Sequence, residues 1–210
     1  MSDKYAACMQ SWFLDFTPEG TYMKKIIATI VVSLLALSTN AMAEGQKVGV
    51  DYLQVSSEID GLDFDTSAVQ IRFSNGIAPN IDVEGVFALG ISDDTYTEFD
   101  PFFGNVSVTG ELGNMFGVFA KFYSDPNSGF QVFGRVGLAM VKIDIDIDIQ
   151  NLGSVSESYD DTGIAFGAGA SFNFSETSAI VVEYSKLPDV DFEGTDIETD
   201  AISIGFQMSI

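Results

Sequence analysis

The amino-acid sequence predicts an all-β fold, and within that class an eight-stranded antiparallel up-and-down transmembrane β-barrel. Three observations support this prediction. Short segments of alternating polarity recur along the chain, separated by Gly, Asn, Asp, Pro and Ser, which is typical of half-buried strands joined by turns. An export signal precedes the first of them. The less apolar faces of these segments carry glycines and a balanced set of charges, which suits a narrow barrel interior.

The composition is strongly acidic. Nine Lys and Arg residues stand against 31 Asp and Glu residues, which gives a net charge of -22. This balance argues against nucleic-acid binding, because a phosphate-binding surface needs clustered basic residues. Hydrophobic residues make up 46% of the chain, too large a share for a disordered protein. The sequence contains no histidine, so we expect no histidine-dependent catalysis and no histidine metal site. We also expect no cofactor.

Residues 23–43, MKKIIATIVVSLLALSTNAMA, have the features of a secretory signal peptide. Lys24 and Lys25 form a basic start, an apolar run follows, and Ala41-Met42-Ala43 fits the cleavage pattern. The alternative is a transmembrane helix, which needs about 20 apolar residues, and the apolar run is shorter than that.

We predict cleavage after Ala43, so that the barrel domain comprises residues 44–210. Residues 1–22 then precede an ordinary start at Met23, and they contain the only cysteine, Cys8. We interpret them as an over-extended gene start or an unusual leader.

The eight alternating segments are interpreted as strands. In the last one, the even positions from 202 to 210 are all apolar, whereas the odd positions are small or polar. The other segments show the same separation, with some interruptions. The predicted strands lie near 46–56, 66–75, 80–91, 112–123, 129–149, 155–174, 178–187 and 199–210.

Two barrel architectures fit this pattern. A soluble, lipocalin-like barrel holds its large apolar residues inside, whereas a membrane barrel turns them outward and keeps a polar interior. Glycines and charges on the less apolar faces suit the interior of an eight-stranded barrel, and rows of Phe, Ile and Leu suit lipid. The sequence therefore predicts an integral protein of the outer membrane.

Six charged side chains are predicted to point into the barrel. Three acids and three bases balance there, although acids greatly outnumber bases in the chain. We interpret them as a salt-bridge plug, because eight strands leave little room for water; the alternative is a gated or proton-conducting pore. Asp82 shares the inward face but sits beside a turn, so we expect it to be solvated. The six residues are Asp51, Arg72, Glu84, Lys121, Arg135 and Glu183.

The stretch VKIDIDIDIQ at 141–150 predicts a strand that continues beyond the membrane, with isoleucines on the inward face and acids outside. Asn151-Leu152-Gly153 suits a three-residue hairpin loop. A bulge near Val141 would instead exchange the two faces. The predicted cross-strand pairs are Ile149 with Val155, Ile145 with Tyr159, and Leu138 with Phe166.

The acids of this stretch, Asp144, Asp146 and Asp148, lie about 7 Å apart along one face. This spacing is wide for a single calcium ion, whose oxygen ligands lie at about 2.3–2.6 Å. We expect a solvated acidic face that blocks edge pairing. Loose bridging by divalent cations to lipopolysaccharide phosphates is the alternative.

Short and long connections alternate along the chain. The short ones, at 75–80, 124–129 and 175–178, are predicted to be periplasmic turns, and the long ones are predicted to be external. The long connections are acidic, which favours a hydrated surface, with binding of a basic partner as the alternative. They lie near 57–65, 92–111, 143–161 and 188–200.

The chain resembles the small eight-stranded outer-membrane β-barrel domain proteins of the outer-membrane protein A and X types. This resemblance implies a Gram-negative outer membrane, surrounding lipid and lipopolysaccharide, and the barrel assembly machinery as a partner during insertion. The chain ends in Ile210, where such barrels usually end in Phe. The matching stretches are VGVDY (48–52), IDVEGVFALGISDD (81–94), VFGRVGLAMVKI (132–143), GIAFGAGASFNFSE (163–176) and VVEYSKL (181–187).

Three functions are compatible with a small outer-membrane barrel. The first is a monomeric structural barrel that displays acidic external loops for surface interactions, with a plugged interior. The second is a narrow porin-like channel for ions or small solutes. The third is a membrane enzyme such as a lipid A acylase or deacylase; the resembling enzymes use histidine, and the lack of histidine argues against it.

Overall fold

The structure is a computed structural model that describes residues 45–59, 62–102, 104–124, 129–150, 152–192 and 195–210. The predicted leader at 1–22 and signal peptide at 23–43 lie outside these residues. Within the described residues, no helix is long and apolar enough to cross a bilayer. The strands are β1 (Gln46–Ile59), β2 (Leu62–Ala78), β3 (Ile81–Asp100), β4 (Gly104–Tyr123), β5 (Phe130–Ile149), β6 (Gly153–Asn173), β7 (Ser178–Lys186), β8 (Val190–Phe192) and β9 (Thr195–Ser209).

Eight of these strands form a closed antiparallel barrel. Each of β1 to β7 pairs with its neighbour in sequence, β7 pairs with β9, and β9 returns to β1 and closes the ring. The short strand β8 pairs only with β9, as a small hairpin at the end opposite the short turns. The predicted fold class, an eight-stranded antiparallel up-and-down barrel, is confirmed.

The outer face of the barrel is apolar. In β9, Ile202 and Ile204 expose 59% and 55% of their surface, whereas Ser203 between them exposes 6%. Every other barrel strand likewise turns large apolar side chains outward. A soluble barrel would bury these residues, so the orientation excludes the lipocalin-like alternative and agrees with strands that face lipid.

Several strands are longer than the alternation predicts. The connections predicted at 57–65 and 92–111 are largely paired, because β2 starts at Leu62 and the β3–β4 hairpin continues as far as the Asp100–Gly104 pair. Hydroxyl pairs stabilise this extension: the Oγ1 atoms of Thr95 and Thr109 lie 2.8 Å apart. Neither face of the extension is apolar enough to show an alternating pattern in the sequence.

The β5–β6 hairpin forms, but its register differs from the prediction by two residues. The loop lies between Ile149 and Gly153, and Gly153 has a φ of +105°, a conformation that glycine adopts without strain. The shift is even, so every side chain keeps its predicted face. No bulge interrupts β5 near Val141; β4 carries one instead, between Leu112 and Asn114. The observed pairs are Ile149 with Gly153, Ile145 with Glu157, and Leu138 with Ile164.

Candidate functional site

The six charged side chains predicted to point inward meet in one layer of the barrel interior. They come from β1, β2, β3, β4, β5 and β7, and each alternates along its strand with lipid-facing neighbours. Their exposed fractions are 2% for Asp51, 0% for Arg72, 0% for Glu84, 1% for Lys121, 5% for Arg135 and 2% for Glu183.

Arg72 lies at the centre of this charged layer and contacts all three acids. Its Nη2 lies 2.8 Å from Asp51 Oδ2, and its Nε donates a hydrogen bond of 2.9 Å to the same oxygen. Its Nη1 lies 3.4 Å from Glu84 Oε2 and 3.2 Å from Glu183 Oε2. The planar guanidinium group suits this role, because its several N–H donors point in fixed directions.

The other two cations complete the network around Glu84. Arg135 Nη1 donates to Glu84 Oε1 at 2.7 Å, and Lys121 Nζ lies 3.3 Å from Glu84 Oε2. Arg135 Nη2 bonds to Glu183 and, at 3.0 Å, to Ser185 Oγ. Three acids and three bases give the layer no net formal charge, which is the condition under which buried ions are tolerated.

Two inward-facing aromatic rings pack against the cations. Arg135 Cζ lies 4.1 Å from the ring centre of Phe119, and Lys121 Nζ lies 3.9 Å from that of Phe133. Both contacts are within cation–π range. The prediction from sequence did not include these phenylalanines in the site, although Phe119 shares the inward phase of Lys121, and Phe133 that of Arg135.

Asp82 is a correction to the prediction, because it is buried rather than solvated. It exposes 5% of its surface, and its Oδ2 lies 2.9 Å from Lys47 Nζ. Tyr123 Oη donates a hydrogen bond of 2.8 Å to the same oxygen. Lys47 reaches inward from the start of β1 and covers the carboxylate on the side of the short turns. A second neutral pair therefore lies between the charged layer and the short turns.

Glycine at position 205 makes room for one of the acids. A Cβ atom there would lie 1.9 Å from Asp51 Oδ1 and 2.6 Å from the carbonyl oxygen of Val50. Only a residue without a side chain lets the carboxylate lie against the backbone of β9, so this glycine helps to position the charged layer.

The two ends of the interior differ. Toward the short turns lies a vestibule of about 140 Å³, lined by polar residues such as Gln131, Ser171 and Gln207. Toward the long hairpins the interior is an apolar core that includes the inward-facing isoleucines 143 and 145. A cavity of about 20 Å³ lies in this core, lined in part by Phe64, Leu112 and Ile143. The interior is therefore polar toward the short turns and apolar toward the long hairpins, where the sequence places isoleucines on the inward face.

The acidic face of VKIDIDIDIQ does not form a metal centre in the described residues, where no group of three or more Asp, Glu, His or Cys could hold an ion. Lys142 Nζ lies 2.6 Å from Asp144 Oδ1, and Ser158 also donates to that carboxylate. Partial burial opposes ionisation of Asp144, but these hydrogen bonds and the charge of Lys142 outweigh it and lower its pKa. Asp146 and Asp148 are exposed.

Solved structures share this fold at low sequence identity. The attachment invasion locus protein Ail of Yersinia pestis is 16% identical, with a TM-score of 0.52 and coverage of 79% of this chain and 100% of Ail. Neisserial surface protein A is 12% identical, with a TM-score of 0.52 and coverage of 79% and 97%. OprG of Pseudomonas aeruginosa is 14% identical, with a TM-score of 0.50 and coverage of 79% and 96%.

A search of curated proteins finds no match to this chain. The family described as outer membrane protein beta-barrel domain matches residues 29–209, which is most of the sequence. Together with the closed ring of eight strands and its apolar outer face, this match identifies the chain as a member of the outer membrane protein β-barrel domain family, integral to the outer membrane.

Proposed function

We propose that this protein is a non-enzymatic structural barrel with a closed interior, whose acidic external hairpins carry its interactions at the cell surface. The observation that carries this proposal is the charged layer. Arg72 and the other five charged residues of this layer come from six of the eight barrel strands, and they expose at most 5% of their surface. An ion crossing the barrel would have to separate charges that are already paired.

The apolar core is a second barrier in series with the charged layer. Val141 is completely buried, and Ile143 and Ile145 expose 4% and 5% of their surface. An ion in this region would lose its hydration without gaining polar partners, which costs many kcal/mol. Two barriers of different chemistry therefore support a closed barrel.

The external surface supports a role in surface interactions. Acids occur on the extended ends of β3, β4, β5 and β6, for example Asp93, Glu111, Asp146 and Glu157. In the cross-strand register, Glu111 lies opposite both Asp93 and Asp144, so three acids share one row across the sheet. Such a surface attracts cations and basic proteins and repels phosphates unless divalent cations bridge them.

The structure of Ail in complex with the heparin analogue sucrose octasulfate provides a contrast. That ligand is polyanionic, and the acidic hairpins of this chain would repel it. We infer that this protein, a monomer surrounded by lipid and lipopolysaccharide, has basic partners or divalent cations at its surface instead.

Electrical conductance of planar bilayers tests the closed interior. Protein extracted from outer membranes is inserted at two salt concentrations, and a conducting porin in the same bilayer controls for insertion. We expect no discrete current steps from the folded protein. Reproducible steps that scale with salt would contradict the proposal.

Such steps would favour the second candidate, a narrow channel. The observation that favours it is the polar vestibule of about 140 Å³, which has room for about five water molecules. Lys47 and Tyr123 line the vestibule, and the charged layer lies beyond them. Conduction would therefore require both the Lys47–Asp82 pair and the ion pairs of Arg72 to separate.

A further inference from the structure

The vestibule toward the short turns is closed at its inner end. Its volume is about 140 Å³. Lys47 and Tyr123 line it on the side of the barrel centre, where Lys47 Nζ and Tyr123 Oη both contact the carboxylate of Asp82. The charged layer lies beyond these residues, so a molecule that enters from the short turns has to leave by the same route. A dead end of this kind has the geometry of a binding pocket.

Gln207 presents an unpartnered amide to this vestibule. It points inward from β9, lines the cavity and exposes only 8% of its surface. Within the part of the chain that the structure describes, no group donates a hydrogen bond to its side chain or accepts one from it. Buried amides in proteins nearly always have hydrogen-bond partners. The two N–H donors and the carbonyl oxygen of Gln207 are therefore available to a molecule in the vestibule.

The rest of the wall carries groups of the same kind. Gln131 and Ser171 lie opposite each other on β5 and β6, and Ser171 Oγ donates a hydrogen bond of 3.3 Å to Gln131 Oε1. Ser178 and Ser209 add hydroxyl groups nearer the short turns. Amides and hydroxyls both donate and accept hydrogen bonds, so they match a ligand whose own groups do both. The hydroxyl groups of a sugar have this property.

Small residues beside Gln207 leave room for such a ligand. In the register of the sheet, Gln207 lies opposite Ala179 on β7 and opposite Gly49 on β1, and Ala179 itself lines the vestibule. A cavity of about 150 Å³ holds a molecule of the size of benzene, so about six non-hydrogen atoms can enter. One edge of a sugar ring with its hydroxyl groups has this size, and the rest of the ring would lie at the rim.

The charges at the vestibule favour an uncharged ligand. Lys47 lines the cavity whereas its partner Asp82 does not, so the nearer charge inside is positive and repels cations. Glu176 lines the cavity at the turn between β6 and β7, where its carboxylate repels anions. The net charge of the chain, -22, also opposes the approach of anions.

We propose that the vestibule binds the hydroxyl-bearing edge of an uncharged sugar, either free or at the end of a glycan chain. This inference goes beyond the proposed surface function, because it concerns the opposite end of the barrel. The amide of Gln207 would donate a hydrogen bond to one hydroxyl of the sugar and accept one from its neighbour. Because only about six non-hydrogen atoms enter the cavity, we expect a dissociation constant in the millimolar range.

The first test follows the side-chain amide signals of glutamines by NMR, in folded, isotope-labelled protein and a detergent without a sugar head group. Titration with glucose should shift the signals of Gln207 and Gln131, and the shifts should saturate. Gln150, directly after β5 at the external end, should not shift and so controls for general effects of the sugar. No saturable shift at Gln207, or equal shifts at Gln150, would overturn the proposal. Conductance does not depend on this result, so the closed-barrel proposal is tested separately.

Three further sugars define the ligand class. Glucuronate and glucosamine add one negative and one positive charge to the same ring, and we expect each to bind at least about tenfold more weakly than glucose. Binding of either as tight as that of glucose would contradict an uncharged ligand. Maltotriose separates the two sources of the sugar. If it binds at least as tightly as glucose, the vestibule accepts the end of a glycan chain, and if it binds more weakly, the ligand is a free sugar.

Two pairs of variants complete the test, with binding followed at the Gln131 signal. Gln207→Leu removes the amide at nearly unchanged volume, so we expect glucose to bind about tenfold more weakly. Gln150→Leu, the same change outside the vestibule, should not alter binding. Ala179→Leu fills the cavity and should also weaken binding, whereas Ala170→Leu, on the lipid-facing side of β6 beside Val132, should not. If Gln207→Leu does not fold, Ala179→Leu decides the question.

Discussion

Arg72 contacts three carboxylates from three different strands, so a single side chain holds together positions that are far apart in sequence. Its partners have partners of their own, since Glu84 also bonds to Arg135 and Lys121. In such a network, deleting one member leaves a buried charge without compensation, and this costs more than the intact pair contributes.

Arg135→Ala therefore tests the network at the level of one residue. We expect the free energy of unfolding to fall by about 3–5 kcal/mol, because Glu84 and Glu183 each lose a buried cation. Reversible urea unfolding in lipid vesicles measures the change. Lys142→Ala, which removes a half-exposed ion pair, should cost less than about 1 kcal/mol. Equal effects of the two variants would show that the interior charges are not coupled.

Gly205→Ala tests whether the charged layer depends on close contact with the backbone. The added Cβ would overlap Asp51 Oδ1 and press on the Val50 carbonyl, so we expect a loss of about 1–3 kcal/mol. Gly85→Ala is the matched control, because a Cβ atom at that position meets nothing within 4 Å. Similar unfolding midpoints for the two variants would contradict this account.

At the scale of strands, the sequence predicts the outer face well and the interior less well. Contact with lipid requires an apolar residue at every second position, and this rule is visible in β9 without knowledge of any neighbour. The burial of Asp82 depends on Lys47 and Tyr123, which come from other strands. The extension of β3 depends on hydroxyl pairs with β4, which no periodicity within β3 reveals.

The β5–β6 hairpin shows the same limit in its register. Alternation determines which face each residue occupies, but it does not distinguish registers that differ by two residues. Gly153 decides between them, because its positive φ places it at the end of the loop, opposite Ile149. Loop chemistry therefore determines the register here, and the apolar pattern does not.

The acidic face of this hairpin predicts a dependence on pH. The pKa of Asp144 is lower in the folded protein than in the unfolded chain. Its contribution to stability is therefore complete above the unfolded value of about 3.9 and is lost as the pH falls through the lowered folded value. When the pH falls below about 5, Asp144→Asn should therefore lose less free energy of unfolding than the wild type. The difference should be about what one exposed ion pair contributes to stability.

Urea unfolding midpoints across this pH range provide the measurement. Lys142→Met, which removes the cation that contacts Asp144, should also reduce the dependence of stability on pH. A dependence in Lys142→Met equal to that of the wild type would mean that general charge repulsion, rather than the contact of Asp144 with Lys142, determines the effect.

At the scale of the whole molecule, the two ends of the barrel have different lengths and chemistry. The long hairpins carry many acids and cover an apolar core, whereas short turns surround the polar vestibule. Membrane barrels place short turns in the periplasm and long connections outside. The difference between the ends therefore predicts how the protein is oriented in the cell.

Cysteine labelling of intact cells tests this orientation, since residues 44–210 contain no cysteine. Leu152→Cys, at the tip of the β5–β6 hairpin, should react with a membrane-impermeant maleimide in intact cells. Ser175→Cys, in the turn between β6 and β7, should react only after the outer membrane is permeabilised. The reverse pattern would place the hairpins in the periplasm and would contradict the proposed surface function.

The outer face of β5 changes from apolar to charged residues along the strand, and this change determines how deep the protein lies in the bilayer. Across the sheet, the row containing Phe116 and Met140 is apolar, and the next row contains Asn114 and Lys142. Sinking by one row would bring polar and charged groups into hydrocarbon, and rising by one would expose apolar side chains to water. This boundary fixes the depth of the external end of the barrel, so a bilayer of different thickness must deform at that end rather than let the barrel shift along the membrane normal.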